Sequence, residues 1–233
     1  PGGGIRMSGW NTKVKAILHG WYPGQIGNVA MAEIISGSVN PSGKLPISIE
    51  KEWKDAASYD FVPKGKGQDE AHSMARQFLI PQPNVEYKEG VFVGYRWYES
   101  KKIAPLYPFG FGLSYTTFAY SNLKLAKDAK IGEDVVVEFN VKNTGKVDGK
   151  EAVQLYVKDN ECSVPRPEKE LKAFHKIDLK AGETKTVRLT VKASDFAFYS
   201  DKEHKWVTEA GDFTIFVGGS SDSTPLKAVI NVK

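Results

Sequence analysis

Cysteine is almost absent: Cys162 is the only one in 233 residues. A lone thiol excludes an internal disulfide and any zinc site built on cysteines. The histidines His19, His72, His175 and His204 have no ligand spacing, so neither a metal nor a cofactor is expected. No apolar run nears the ~20 residues that a membrane-spanning helix needs. An excess of one charge sign is missing too. The net formal charge is +4, and the lysines are scattered among acids, the pattern of a solvated surface and not of a nucleic-acid footprint. The opening "PGGGIRMSGW" has no initiator Met, no charged n-region and no apolar h-region. Because the residues immediately after it read as the middle of a fold, the expectation is the C-terminal part of something longer.

What is present suffices for a packed core, with 41% hydrophobic and 26% charged residues. "VKAILHGW" (Val14 to Trp21) is apolar with little alternation, which predicts a strand buried on both faces of a parallel sheet. Pro23, Gly24 and Gly27 break it. From Asn28, the residues Val29, Met31, Ala32, Ile34 and Ile35 recur at helical spacing until Gly37. "NPSGK" is a turn and "LPISI" (Leu45 to Ile49) a second short strand, completing one βαβ crossover that lacks sheet neighbours. Residues 50 to 113 suit no regular element. Their aromatic stretch "YKEGVFVGYRWYESKKIAPLYPFGFGLSY" reads as a strap between two domains, preceded by an insertion-like loop at 61–84. From about Thr116, eight short runs of period-2 alternation separated by turn signals predict a β-sandwich, with "TIFVG" as a central strand. The expected fold class is α/β plus all-β, divided at 1–60, 61–113 and 114–233.

Four stretches carry a resemblance: "WYPGQIGNVAMAEIISGSVNPSGKLPISI", "YKEGVFVGYRWYESKKIAPLYPFGFGLSYTTFAYSNLKL", "VKNTGKVDGKEAVQLYV" and "EAGDFTIFVGGSS". Together, and in this order, they resemble glycoside hydrolase family 3, the β-glucosidase and β-xylosidase family, in its Bacteroidetes-like form. The resemblance implies a barrel, an α/β sandwich and a fibronectin type III-like β-sandwich, of which this chain holds the C-terminal part of the second and all of the third. It also implies a retaining mechanism, with two carboxyl groups ~5–5.5 Å apart. The nucleophile Asp of the family lies on the barrel and the acid/base Glu upstream of "WYPGQ", so no catalytic residue maps onto this chain, which alone should be inactive. The implied partners are the missing barrel and α/β segments and a β-glycoside or oligosaccharide, with a homodimer admitted. The implied location is the periplasm or the exterior.

Trp21 and Tyr22 stand at the carboxyl end of the expected strand, where open α/β sheets bind ligands, and are the candidates for the rim of a sugar site. The competing reading is a tight strand-to-helix turn with Trp21 in the core. A phosphate loop is disfavoured, because no Lys-Ser/Thr follows the glycines. Alternation in "VFVGYRWY" would turn half of Phe92, Tyr95, Trp97 and Tyr98 inward, which suits a docking surface better than a glycan site. Glu89 is expected to be a structural acid, hydrogen-bonded or paired with Arg96. Glu33 is expected to face solvent, and Asp201, Glu203 and His204 to form a solvated turn. The leading function is therefore the C-terminal portion of a retaining β-glycosidase acting on terminal non-reducing sugars. The alternative is a stand-alone, non-catalytic carbohydrate-binding or scaffolding module.

Overall fold

A computed structural model describes residues 5–59 and 87–233. The insertion-like loop at 61–84 and His72 lie outside the described residues. The alternating runs after Thr116 fold into two facing antiparallel layers. One has three strands, β1 (Phe118–Lys124), β3 (Val135–Asn143) and β6 (Thr184–Val191), in that spatial order. The other orders β2 (Asp128–Ala129), β10 (Leu226–Val232), β9 (Gly211–Gly218), β4 (Gly149–Asp159) and β5 (Glu170–Leu179), with only β2 pairing parallel, to β10. The "TIFVG" strand, β9, sits in the middle of the larger sheet.

Alternation sets the core. Val137, Phe139 and Val141 of β3 face Val153 and Leu155 of β4 and Ile215 and Val217 of β9, all 0% exposed. Full burial of each such side chain is worth about 1.5–3 kcal/mol. β4 departs from strict alternation: Val153 to Val157 are buried without interruption. Its outward-facing Gln154 and Tyr156 are covered by the aromatic strap. Tyr95 packs edge-on against Tyr156 at 5.8 Å, and its hydroxyl accepts a 2.8 Å hydrogen bond from the Leu171 N–H.

The strap is more regular than period-2 reading predicts. "VFVGYRWY" is no extended segment: Gly94, at φ 55°, turns the chain into a short helix, Tyr95–Ser100. The helix aims its rings at two surfaces. Tyr98 is buried, and Trp97 Nε1 donates to the Asp55 carbonyl at 3.0 Å, while Tyr95 reaches the sandwich. Downstream, residues 106–111 run antiparallel to Leu45–Ile49. The Leu45 N–H donates to Phe111 and the Gly110 N–H to Leu45, both at 2.8 Å, and an isolated bridge joins Ile49 to Tyr107.

Two expectations for the first region need correction. The run Val14–Trp21 is not a strand, because none of its backbone groups enters a ladder, and Val14 and Leu18 are exposed. A strand exists only through a neighbour, and the described residues supply none here. Leu45–Ile49 finds its partner in the strap and not in a parallel neighbour across a βαβ crossover. The helix between them forms as the spacing predicts, as α1 (Gly27–Ser36), capped by left-handed Gly37, whose N–H reaches the Ile34 carbonyl. The strap helix is α2.

A candidate sugar-site rim and a polar junction

The turn between the apolar run and α1 is held by close packing. A Cβ on Gly27 would fall 2.1 Å from Pro23 Cβ, so only glycine lets the proline fold back over the first turn of α1. Trp21 adopts φ 49°, a left-handed conformation that is costly for a bulky side chain. The strained backbone throws consecutive rings in different directions. Trp21 is half-buried and packs on His19, their centroids 4.3 Å apart, whereas Tyr22 is 82% exposed. Both His19 nitrogens are buried with no hydrogen-bond partner. The two rim candidates are thus brought together at one corner, one ring fixed and one free.

Glu33 faces solvent on α1. The pairing expected for Glu89 is not formed. Arg96 lies instead 3.5 Å from Glu170, where Arg166 and Lys172 also converge, and Glu89 Oε2 is buried without a hydrogen-bond partner. Asp201, Glu203 and His204 form the tip of a hairpin between β7 (Phe198–Ser200) and β8 (Lys205–Val207). Among the described residues no group of three or more His, Cys, Asp or Glu is placed to hold a metal.

A polar junction that the sequence does not announce joins the first region to the sandwich. Lys44 Nζ lies 3.1 Å from Glu151 Oε2, and the Tyr120 hydroxyl donates to Glu151 Oε1 at 2.8 Å, with Glu151 almost wholly buried. Burial, with the Glu151 charge behind it, pushes the Tyr120 phenol well above its ordinary range. Asn40 makes a second link: its Oδ1 accepts from Ser114 Oγ and the Tyr115 N–H, and its Nδ2 donates to the Asp148 carbonyl at 2.9 Å. A cleft of about 370 Å³ between the strap and the sandwich is lined by Ser48, Tyr98, Glu99, Lys169 and Asp222 among others. Neither Trp21 nor Tyr22 lines it. Lys169 Nζ lies 3.1 Å from Glu99 Oε1, yet burial still raises the Glu99 carboxyl above its usual range. The pairing is one of charge more than of directed bonding, since both Glu99 oxygens lack a hydrogen-bond partner.

The architecture is therefore that of an α/β segment strapped to a fibronectin type III-like sandwich. Residues 1–95 match the glycosyl hydrolase family 3 C-terminal domain, and residues 151–221 match the fibronectin type III-like domain. A β-glucosidase of Bacteroides ovatus is 42% identical over 91% of this chain, which corresponds to 27% of that protein. An exo-α-(1→6)-L-arabinopyranosidase of Bifidobacterium longum is 41% identical over 93% of this chain and 26% of its own length. Among solved structures, the β-glucosidase of Bifidobacterium adolescentis superposes with a TM-score of 0.86 and 38% identity, covering 98% of this chain and 31% of that one. The chain belongs to glycoside hydrolase family 3 and carries its C-terminal domains. It spans about a quarter of the length of the curated relatives it matches. Among the described residues no helix is long and apolar enough to cross a membrane.

Proposed function

We propose that this chain is the C-terminal portion of a retaining β-glycosidase of the β-glucosidase type. Such an enzyme releases terminal non-reducing β-linked sugars by double displacement through a covalent glycosyl-enzyme intermediate. One observation carries this reading. An apolar run with no strand partner among the described residues precedes a helix whose Val29 and Ile35 are exposed, in a chain that resembles β-glucosidases over nearly its whole length. The run and helix await the remainder of the parallel sheet, and the nucleophile Asp and acid/base Glu belong to that companion segment. In this reading residues 1–60 end the α/β domain, 61–113 strap it, and 114–233 form the sandwich that steadies it. Trp21 and Tyr22 stand at the rim of the sugar site, with Tyr22 free to stack on a pyranose face. The partner on the open face is the rest of the same enzyme, and the location is periplasmic or extracellular.

The intact mass, read under denaturing conditions, of the protein purified in native form from its source tests this directly. A polypeptide far above 25.8 kDa that hydrolyses an aryl β-glucoside supports the reading. A single inactive species of 25.8 kDa would replace it with a non-catalytic carbohydrate-binding module. In the complete enzyme, Tyr22→Ala should raise KM by about tenfold, the ~1.4 kcal/mol of one lost aromatic stack, with kcat little changed. An unchanged KM would remove Tyr22 from the rim.

A further inference from the structure

Helix α2 is held differently at its two ends. At the first turn the Tyr95 hydroxyl accepts from the Leu171 N–H at 2.8 Å, and Arg96 lies 3.5 Å from Glu170. At the last turn three polar atoms are enclosed without a hydrogen-bond partner: both carboxylate oxygens of Glu99 and the Ser100 hydroxyl. Lys102 then leaves the helix at φ 56°, a left-handed conformation that is costly for any residue but glycine. Enclosed polar groups are normally satisfied, so an end with three orphaned atoms and a strained exit is where local opening is easiest.

The cation facing Glu99 across the interface is Lys169, at 3.1 Å, and its ammonium also sits 5.6 Å from the ring centroids of Tyr156 and Phe216. Two acids, Glu168 and Asp222, oppose ionisation of Glu99. Glu168 is itself drawn to Lys158 at 2.6 Å, and Asp222 accepts from the Ser220 hydroxyl at 2.6 Å. Lys102 and the phenols of Tyr95 and Tyr98 complete the charged and titratable groups of the cleft that Glu99 lines. Burial outweighs the Lys169 charge and holds the Glu99 carboxyl above its usual range. An ionised Glu99 is thus poorly served while α2 is seated, and it gains water only when that end lifts away. We propose that α2 is a proton-controlled latch: with Glu99 protonated its C-terminal end stays seated on the sandwich, and ionisation lets that end swing out about the Tyr95 anchor. The swing opens the cleft and draws Trp97 from the Asp55 carbonyl, so the first region and the sandwich loosen together. The latch is built from this chain's own residues and is independent of the glycosidase function. Seated Glu99 holds its proton more tightly than lifted Glu99. Acid therefore favours the seated state, and opening grows as pH rises from the ordinary carboxylate range to the raised seated value, then levels off.

Hydrogen exchange of the full-length protein, read by mass spectrometry on peptic peptides between about pH 4 and about pH 8, tests this. The reporters are the Lys101, Lys102 and Ile103 amides, which donate to the carbonyls of Trp97, Glu99 and Tyr98. They should exchange at least about tenfold faster than the amides of β3, the mark of local opening. Their protection, corrected for the intrinsic pH dependence of exchange, should fall by up to about tenfold per pH unit and then level off. In Glu99→Gln, which is neutral throughout, protection should no longer change with pH. Lys169→Met keeps an apolar stem over the two rings but removes the counter-charge, so the fall should move to higher pH. That second variant keeps the test decisive if Glu99→Gln folds poorly. A flat profile in the parent overturns the latch, as does a pH dependence that survives Glu99→Gln. Exchange of α2 and β3 at one common rate also overturns it, by assigning the opening to global unfolding, and so does a Lys169→Met profile that stays in place or moves to lower pH.

Discussion

The β-sandwich and the segment before residue 50 are both rich in Val, Ile and Leu, but they use these residues in opposite ways. In the sandwich, β3, β4 and β9 turn theirs inward until Phe139, Leu155 and Ile215 are wholly enclosed. In the first region Val14, Leu18, Ile26, Val29 and Ile35 stay exposed, although Met31 beneath α1 touches Gly20. The sandwich has a second sheet to bury against, and the first region has only the edge of a strap. Burial belongs to the pair of surfaces, and apolar sequence without its mate remains on the outside.

The strongest way to break this contrast is to separate the two regions. A chain beginning at residue 114 should give one cooperative thermal transition, while a peptide of residues 5–59 should give none. A sigmoidal melt of that peptide would show that the first region carries its own core. Within the whole chain, Phe139→Ala should cost about 3–5 kcal/mol in denaturant titration, whereas Val29→Ala should stay within roughly 0.5 kcal/mol. A large effect at Val29 would mean that α1 is packed more firmly than its exposure indicates.

Glu151 sharpens the contrast, because it belongs to the sandwich but is paired from outside it. Glu151→Ala should cost roughly 3 kcal/mol in the whole chain, where Lys44 loses its buried partner. In the chain starting at 114 only the Tyr120 hydrogen bond remains, and the cost should fall to about 1–2 kcal/mol. Equal costs in the two chains would remove Lys44 from the junction.

The smallest expected effect is one of pH. Burial raises the Glu99 carboxyl, so its folded form holds a proton more tightly than the unfolded chain does. Its contribution is most favourable at acid pH and is lost as pH rises through the raised folded value. The Tm of Glu99→Gln relative to the parent should therefore climb between acid and neutral pH. Glu170 has the opposite sign. Burial would raise it, but Lys172, Arg166 and Arg96 outweigh burial and hold it below the usual range. Glu170→Gln should thus lose most relative to the parent at neutral pH, and the deficit should shrink as acid protonates the native carboxylate. Parallel pH profiles for the two variants would contradict at least one of the assignments, the one whose sign they fail to show.

The sandwich was legible where alternation was strong, as in "VVVEFNVK" and "KTVRLTV". It was not legible at β1, whose register slips between Ser121 and Lys124 and puts two exposed residues in a row, so the alternation of Phe118 and Tyr120 does not carry through to Leu123. The two-residue β2 is too short for any period. α2 was hidden because "VFVGYRWY" alternates by residue type while Gly94 changes its direction. For the site, the corner at Trp21 and Tyr22 could be located from the strand-to-helix punctuation. The Lys44–Glu151–Tyr120 junction could not, since its members lie far apart in sequence and each looks like an ordinary surface residue until the fold encloses it.

Asn40 has a consequence for how such chains recombine. Its one side chain clasps Ser114, Tyr115 and Asp148, so three residues beyond the strap depend on a single amide that precedes it. A crossover placed at the sandwich boundary would inherit a foreign residue at that point and strand three partners at once. Viable exchanges between relatives should therefore carry the stretch from Asn40 to Ile49 along with the sandwich, making the heritable module longer than the folded layer it serves.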